Sequence, residues 1–207
     1  MLPRGVVIGH SFIKHLVRSE YSSFNLAQTF RYIKTIYRGG AVLKHLEDYT
    51  NTLAKYDVVI IVIGSNDLCD PSVSPKSFAA ELLCFAQSIL STADDLGYTL
   101  PAISVVPVLH RSVDWHPRKG QRSVINYNES VDIANHYLKQ YSANLFRIHL
   151  YTSPRTIDER YLHDGVHLNN QGQRLFYRYI RGALIFCSNI LTNSVSHRKP
   201  KKRHNRR

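Results

Sequence analysis

One stretch restricts the possible folds more than any other: Asp57-Val58-Val59-Ile60-Ile61-Val62-Ile63-Gly64. Six β-branched residues in a row favour extended backbone. None of the six is polar, so neither face of the strand can be left to water. Such a strand belongs in a parallel sheet covered on both sides by helices. Parallel neighbours need crossovers of a dozen residues or more, usually helical.

The flanking sequence supplies both parts. Further strands are expected at Val6–Ile8, Arg31–Tyr37, Ala102–Leu109 and Leu145–Leu150. Helical spacing of apolar residues appears at Phe12–Val17 and at Ala41–Leu53, through Val42, Leu43, Leu46, Tyr49 and Leu53. Ser74-Pro75 opens a helix that runs to about Leu96 and stops at Gly97. Two more are expected at Asn126–Tyr141 and Asn170–Leu191. Strand and helix alternate five times, the pattern of an α/β domain with a doubly wound parallel five-stranded sheet, for which the common order is 2-1-3-4-5. At 207 residues the chain is one domain, expected over residues 1–192, with a basic disordered tail at 193–207.

In that order the first and third strands are neighbours where the winding reverses, and ligands bind beyond the carboxyl ends of the strands there. The first strand ends in Gly9-His10-Ser11 and passes directly into a helix. Such a turn suits a phosphate-binding site or a serine nucleophile, because free N–H groups at the helix start face the sheet edge. The third strand ends in Gly64-Ser65-Asn66-Asp67, so the two segments should face one crevice.

A serine nucleophile needs a base held by an orienting group. The last loop before the final helix reads Tyr161-Leu162-His163-Asp164-Gly165-Val166-His167-Leu168. Asp164 and His167 are three apart and can lie side by side in a turn, the carboxylate holding one ring nitrogen while the other faces outward. Acyl transfer also needs donors for the developing oxyanion. The same edge offers the N–H of Ser11, the N–H of Gly40 (or Gly39) and the side-chain amide of Asn66. Gly39-Gly40 also reads as a flexible turn, and Asn66 as a loop cap.

Taken together, Gly9-His10-Ser11, Gly40, Gly64-Ser65-Asn66-Asp67 and Asp164-Gly165-Val166-His167 resemble the four sequence blocks of the SGNH hydrolases, the GDSL-type esterases. The resemblance implies a three-layer flavodoxin-like fold. It further implies Ser11 as nucleophile, His167 as base, Asp164 as its orienter, and Ser11, Gly40 and Asn66 as the oxyanion hole. A narrower likeness is to the esterase-type domains of some non-LTR retrotransposon proteins. One position departs from the pattern: the family usually has aspartate between the glycine and serine of the first block, where this chain has His10. The expected activity is hydrolysis of carboxylic esters or thioesters through an acyl-enzyme, with no metal or organic cofactor. The expected substrate is a small-molecule, lipid or carbohydrate ester, with a preference for small acyl groups.

Other chemistries fit poorly. His163 and His167 copy the spacing of a helical H-E-x-x-H zinc site, but Gly165 and the surrounding turn residues oppose a helix. There is no G-x-x-x-x-G-K-[ST] or G-x-G-x-x-G. Ile13 stands where a G-x-S-x-G elbow needs its second glycine. Cys69, Cys84 and Cys187, an odd number without C-x-x-C spacing, are expected to be reduced thiols. No apolar run is long enough for a transmembrane segment, and the N-terminus does not read as a signal peptide. An intracellular location is therefore expected, in the cytoplasm and, given Lys199-Pro200-Lys201-Lys202-Arg203, the nucleus. Seven of the 27 Lys/Arg fall in the last eleven residues, which hold no acid, so the other 196 carry only +5 of the net +12. A second reading follows: a catalytically weak esterase-fold module binding nucleic acid non-specifically through residues 197–207. Specificity is expected to reside in the loops at 68–77 and 110–123, the second containing His110, Trp115 and His116.

Overall fold

In a computed structural model, residues 1–18, 24–114, 120–153, 155 and 157–196 are described. The strands β1 (Arg4–Gly9), β2 (Tyr32–Tyr37), β3 (Val58–Val62), β4 (Ala102–Val105) and β5 (Ile148–Leu150) form one sheet in the order β2-β1-β3-β4-β5. Every pairing is parallel. The helices are α1 (Ser11–Arg18), α2 (Lys44–Glu47), α3 (Thr50–Leu53), α4 (Pro75–Asp95), α5 (Val124–Ser142) and α6 (Asn170–Ser196).

The period of two along the strands divides the core into two layers. Val6, Ile8, Val59, Ile61, Ile103 and Val105 pack with Leu46 and Leu53, with Phe78, Leu82 and Ile89 of α4, and with Tyr127, Val131 and Leu138 of α5. Val7, Val58, Ile60, Val62 and Ala102 face the other way, against Phe12, Ile13 and Leu16 of α1 and Phe176, Ile180 and Leu184 of α6. All five residues of β3 are buried, as expected for a strand covered on both faces.

Several elements differ from their expected extents; β5 begins at Ile148 instead of Leu145, after Arg147 at φ +61°. The helix expected over Ala41–Leu53 is two single turns, α2 and α3, joined through Asp48 and Tyr49. β4 stops at Val105 although the apolar run continues to Leu109. Pro107 has no N–H for a ladder, and Val108 finds its backbone partner in a side chain. Its N–H donates to Asn135 Oδ1 at 2.9 Å, and its carbonyl accepts from Asn135 Nδ2 at 2.9 Å. α6 continues to Ser196, past its expected end at Leu191, because nothing between 191 and 196 breaks a helix. Residues 197–207, with the basic run, lie outside the described residues. Cys69 and Cys187 are buried free thiols and Cys84 an exposed one. No described helix is long and apolar enough to cross a membrane.

Candidate active site

β1 presses closely on β3 at its carboxyl end, and Gly9 makes this possible. A Cβ on Gly9 would sit 2.1 Å from the Val62 carbonyl oxygen. The chain then turns: the His10 N–H donates to Val62 O at 3.3 Å, and His10 O accepts from the Ile13 N–H at 3.1 Å. This makes Ser11 the first residue of α1, at the sheet edge. The Ser11 and Gly40 N–H groups donate to no other described residue.

His10 is 2% exposed, its ring edge-on to Phe12 with centroids 4.8 Å apart. The Phe12 N–H donates to its Nδ1 at 3.4 Å, so this nitrogen carries the lone pair. Burial, then the charge of Arg111 and the nearby His167, push its pKa down to about 3. The imidazole is therefore neutral at pH 7 and serves as a local acceptor.

Across the switch point, Asn66 and Asp67 tie the loop after β3 to the segment after β2. Asn66 Nδ2 donates to Ala41 O at 2.9 Å, and the Leu43 N–H donates to Asp67 Oδ1 at 2.7 Å. These bonds hold Gly40 and the Asn66 amide at one edge of the sheet. Asp67 is buried, and Oδ2 has no partner among the described residues. Burial pushes its carboxyl up to about 6, against the opposing Leu43 N–H.

The Asp164–His167 segment is a loop, not a helix. Asp164 Oδ1 accepts the N–H groups of Val166 at 2.9 Å and His167 at 2.6 Å. Its Oδ2 lies 2.7 Å from His167 Nδ1. Burial works against the Asp164 charge, but the His167 N–H, the His167 ring and the Val166 N–H outweigh it. Together they hold the carboxyl below the usual carboxylate range. An ionised Asp164 makes Nδ1–H the donor and leaves the Nε2 lone pair for another partner. Gly165 at φ +78° makes the turn possible, and a Cβ there would meet Val113 Cγ2 at 2.4 Å. His163 Nε2 is 3.9 Å from Asp164 Oδ2.

These segments enclose a cleft of about 300 Å³ lined by Ser11, Gly40, Asn66 and His167, together with His10, Arg111 and Gln121 among others. All four groups that the sequence assigned to nucleophile, base and oxyanion donors are thus brought to one space, with Asp164 behind the imidazole. Gly39 and Gly40 are both exposed, but of the two only Gly40 lines the cleft. A neighbouring hollow of about 510 Å³, lined by His110, Asn128 and Asp158–Arg160, shares Arg111 with the cleft but holds none of those four. His110 Nε2 pairs with Asp132 at 2.8 Å, on the side of that hollow. Trp115 and His116 lie outside the described residues.

Sequence reasoning missed the groups that stitch the loops at 68–77 and 110–123 together. Asn128 brackets Arg111, its Oδ1 accepting the Arg111 N–H at 2.9 Å and its Nδ2 donating to Arg111 O at 2.8 Å. The Arg111 guanidinium donates to Ser65 O at 2.8 Å and to Cys69 Sγ, and lies 4.4 Å from the Tyr127 ring centroid. Arg122 donates to four carbonyls: Leu68 and Asp70 through Nη1 at 2.8 and 2.7 Å, Pro71 and Val73 through Nη2 at 3.3 and 2.8 Å. One signal was available. Asn128 and Asn135 are seven residues apart, so they share a face of α5 toward the preceding loop.

Comparison with known proteins gives a consistent picture. The family model described as GDSL-like lipase/acylhydrolase matches residues 17–180, a span that contains Gly40, Asn66, Asp164 and His167 and begins after Ser11. A GDSL-like lipase from Bacteroides thetaiotaomicron shares 17% identity, over 87% of each chain, at TM-score 0.66. A carbohydrate acetylesterase from Sinorhizobium meliloti shares 16% identity over 91% of this chain and 99% of its own, at TM-score 0.60. The lipase/acylhydrolase from Enterococcus faecalis shares 19% over 96% and 99%, at TM-score 0.57. At these identities the structures establish the likeness of fold. Comparison with curated proteins returns no match.

Proposed function

Because the chain belongs to the GDSL-like lipase/acylhydrolase family, we propose that it is a serine esterase whose nucleophile is Ser11 and whose base is His167. The observation that carries this reading is the single cleft lined by Ser11, Gly40, Asn66 and His167. His167 Nε2 takes the proton of Ser11 Oγ as the oxygen attacks the ester carbonyl carbon. The carbonyl oxygen becomes an oxyanion among the Ser11 N–H, the Gly40 N–H and the Asn66 amide. Asn66 Nδ2 already donates once to Ala41 O, and its second N–H serves the oxyanion. Collapse breaks the bond to the alcohol, which leaves with the proton held by His167. Water then gives a proton to His167 and attacks the acyl-enzyme, releasing the acid and restoring Ser11. Throughout, Asp164 fixes the tautomer and stabilises the imidazolium that forms twice in each cycle.

His10 fits this scheme despite the usual aspartate. A neutral imidazole supplies the acceptor for the Phe12 N–H and places no second base beside Ser11. A cleft of about 300 Å³ suits small acyl groups such as acetyl. The carbohydrate acetylesterase among the structural neighbours supports a small-acyl ester as the first substrate class to try. The direct test is labelling by a fluorophosphonate probe. Wild type should label and Ser11→Ala should not; equal labelling of both would rule out Ser11 as an activated nucleophile.

A further inference from the structure

Arg111 is 8% exposed, and it lines the cleft that holds Ser11 and His167. Burying a guanidinium is costly unless a counter-charge compensates. Its partners here are a carbonyl, a thiol and an aromatic ring, none of them anionic. Among the described residues no Asp or Glu lines the cleft, and in the adjoining hollow that Arg111 shares with Asp158 and Glu159, Asp158 is paired with Arg160 at 2.8 Å. Asp164 is committed to His167; Asp67 Oδ1 accepts the Leu43 N–H, and Asp67 Oδ2 bonds to no described residue, Arg111 included. A guanidinium has five N–H donors. Nε of Arg111 bonds to no described residue. The side chain is also held in place, since Asn128 clasps its backbone on both sides. A preorganised, unneutralised cation in a small cleft is the arrangement that recognises an anionic group on a ligand.

We propose that Arg111 is a specificity-determining residue that selects esters carrying an anionic oxygen group, carboxylate or phosphate, close to the scissile bond. The proposal rests on the esterase reading above and names the substrate class of that site. Once bound, the anionic group becomes the counter-charge the guanidinium lacks, while its existing bonds to Ser65 and Cys69 fix its position at the cleft wall. A neutral ester of the same size leaves the cation unpaired and gains nothing from it.

The test uses matched pairs, read as the ratio of kcat/KM for the charged ester over its neutral counterpart. On the acyl side, p-nitrophenyl hemiglutarate is set against p-nitrophenyl pentanoate. On the alcohol side, 4-acetoxybenzoate and 4-acetoxyphenyl phosphate are set against methyl 4-acetoxybenzoate, which separates carboxylate from phosphate. Wild type should favour at least one charged member by about 10- to 100-fold, the scale of one charge-assisted hydrogen bond. Arg111→Gln should bring that ratio to near one, and Arg111→Lys should retain part of it. A general loss of activity in either variant cancels in the ratio. If Arg111→Gln does not fold, the wild-type ratio and its decrease with added salt decide the matter. A wild-type ratio near one for all pairs overturns the role of Arg111 while leaving the esterase reading intact. A preference that survives in Arg111→Gln does the same. Absence of both hydrolysis and Ser11 labelling overturns the esterase reading itself.

Discussion

The two loops that complete the cleft are built on opposite principles. The loop after β3 is held from outside. Leu43 bonds to Asp67, Arg111 bonds to Ser65 and Cys69, and Arg122 gathers four carbonyls between Leu68 and Val73. The loop after β5 holds itself. Asp164 caps Val166 and His167, the His163 N–H donates to His167 O at 2.8 Å, and Leu162 bridges to Leu168. Asn169 adds bonds to the Arg160 and Leu162 carbonyls. Its link to the loop after β4 runs through Gly165, whose carbonyl accepts the Ser112 N–H at 2.9 Å. The contrast suits the proposed chemistry. An oxyanion donor acts only if it stays where the charge develops, so its loop is anchored at many points. A base has to exchange protons with serine, leaving group and water in turn, and needs one partner that fixes its tautomer.

Asp164→Asn should have the largest effect, because it strikes the carboxylate that both caps the self-contained loop and holds the His167 ring. The amide still accepts the two backbone N–H groups, so the fold should persist while the imidazole loses its anionic orienter. Turnover on p-nitrophenyl acetate should fall by about 10⁴-fold, while Tm drops only by what the lost carboxylate charge contributed to stability. A loss below tenfold would mean that the tautomer of His167 is set elsewhere. Asn66→Ala tests the anchored loop and should cost about 10²–10³ in kcat, with little change in KM. An equal rise in KM would indicate that Asn66 binds the ground state as strongly as the oxyanion.

Much of this site was legible in the chain, and the remainder was unreadable for a physical reason. Consecutive β-branched residues in β3 announce a doubly covered strand. The topology of such sheets then carries Ser11 and Asn66 to one edge without further information. Asp164 and His167 are close in sequence, so their turn is a local matter. Arg111 and Arg122 are different: their bonds reach back 42 to 52 residues to Ser65, Cys69 and Asp70, with no period or spacing to mark them. The division of Ala41–Leu53 into two turns belongs to the same class. Its apolar spacing is helical throughout, but the chain ahead of it is pulled toward Asn66 and Asp67 by Ala41 O and the Leu43 N–H.

Arg122→Met therefore measures how much external anchoring matters. The side chain keeps its length and loses four carbonyl partners, several of them near solvent. Stability should drop by about 1–3 kcal/mol in urea unfolding, the scale of hydrogen bonds to a charged group. Turnover should fall by less than in Asn66→Ala, since Asn66 keeps its own bond to Ala41. An unchanged midpoint would show that Asp67 and Arg111 alone hold the loop.

The smallest expected effect separates the loops by their two carboxylates. Asp164 lies below its ordinary range, so its contribution is present above the unfolded value and is lost as pH falls through the acid range. Asp67 behaves in the opposite sense. With a folded pKa of about 6 against an ordinary 3.8, the native state holds its proton more tightly than the unfolded chain. Its contribution therefore declines as pH rises from about 4 through 6. His10, pushed down from 6.5 to about 3, titrates in the same window with the other sign, so the pH profile of wild type alone mixes the two. The difference between wild type and Asp67→Asn isolates the carboxyl, because His10 is common to both. The variant keeps an acceptor for the Leu43 N–H and removes the charge. Relative to wild type it should gain on the order of 1 kcal/mol between pH 5 and pH 8 in denaturant unfolding. A difference independent of pH would place Asp67 in contact with water or a cation, and would make the anchored loop wetter than its burial implies.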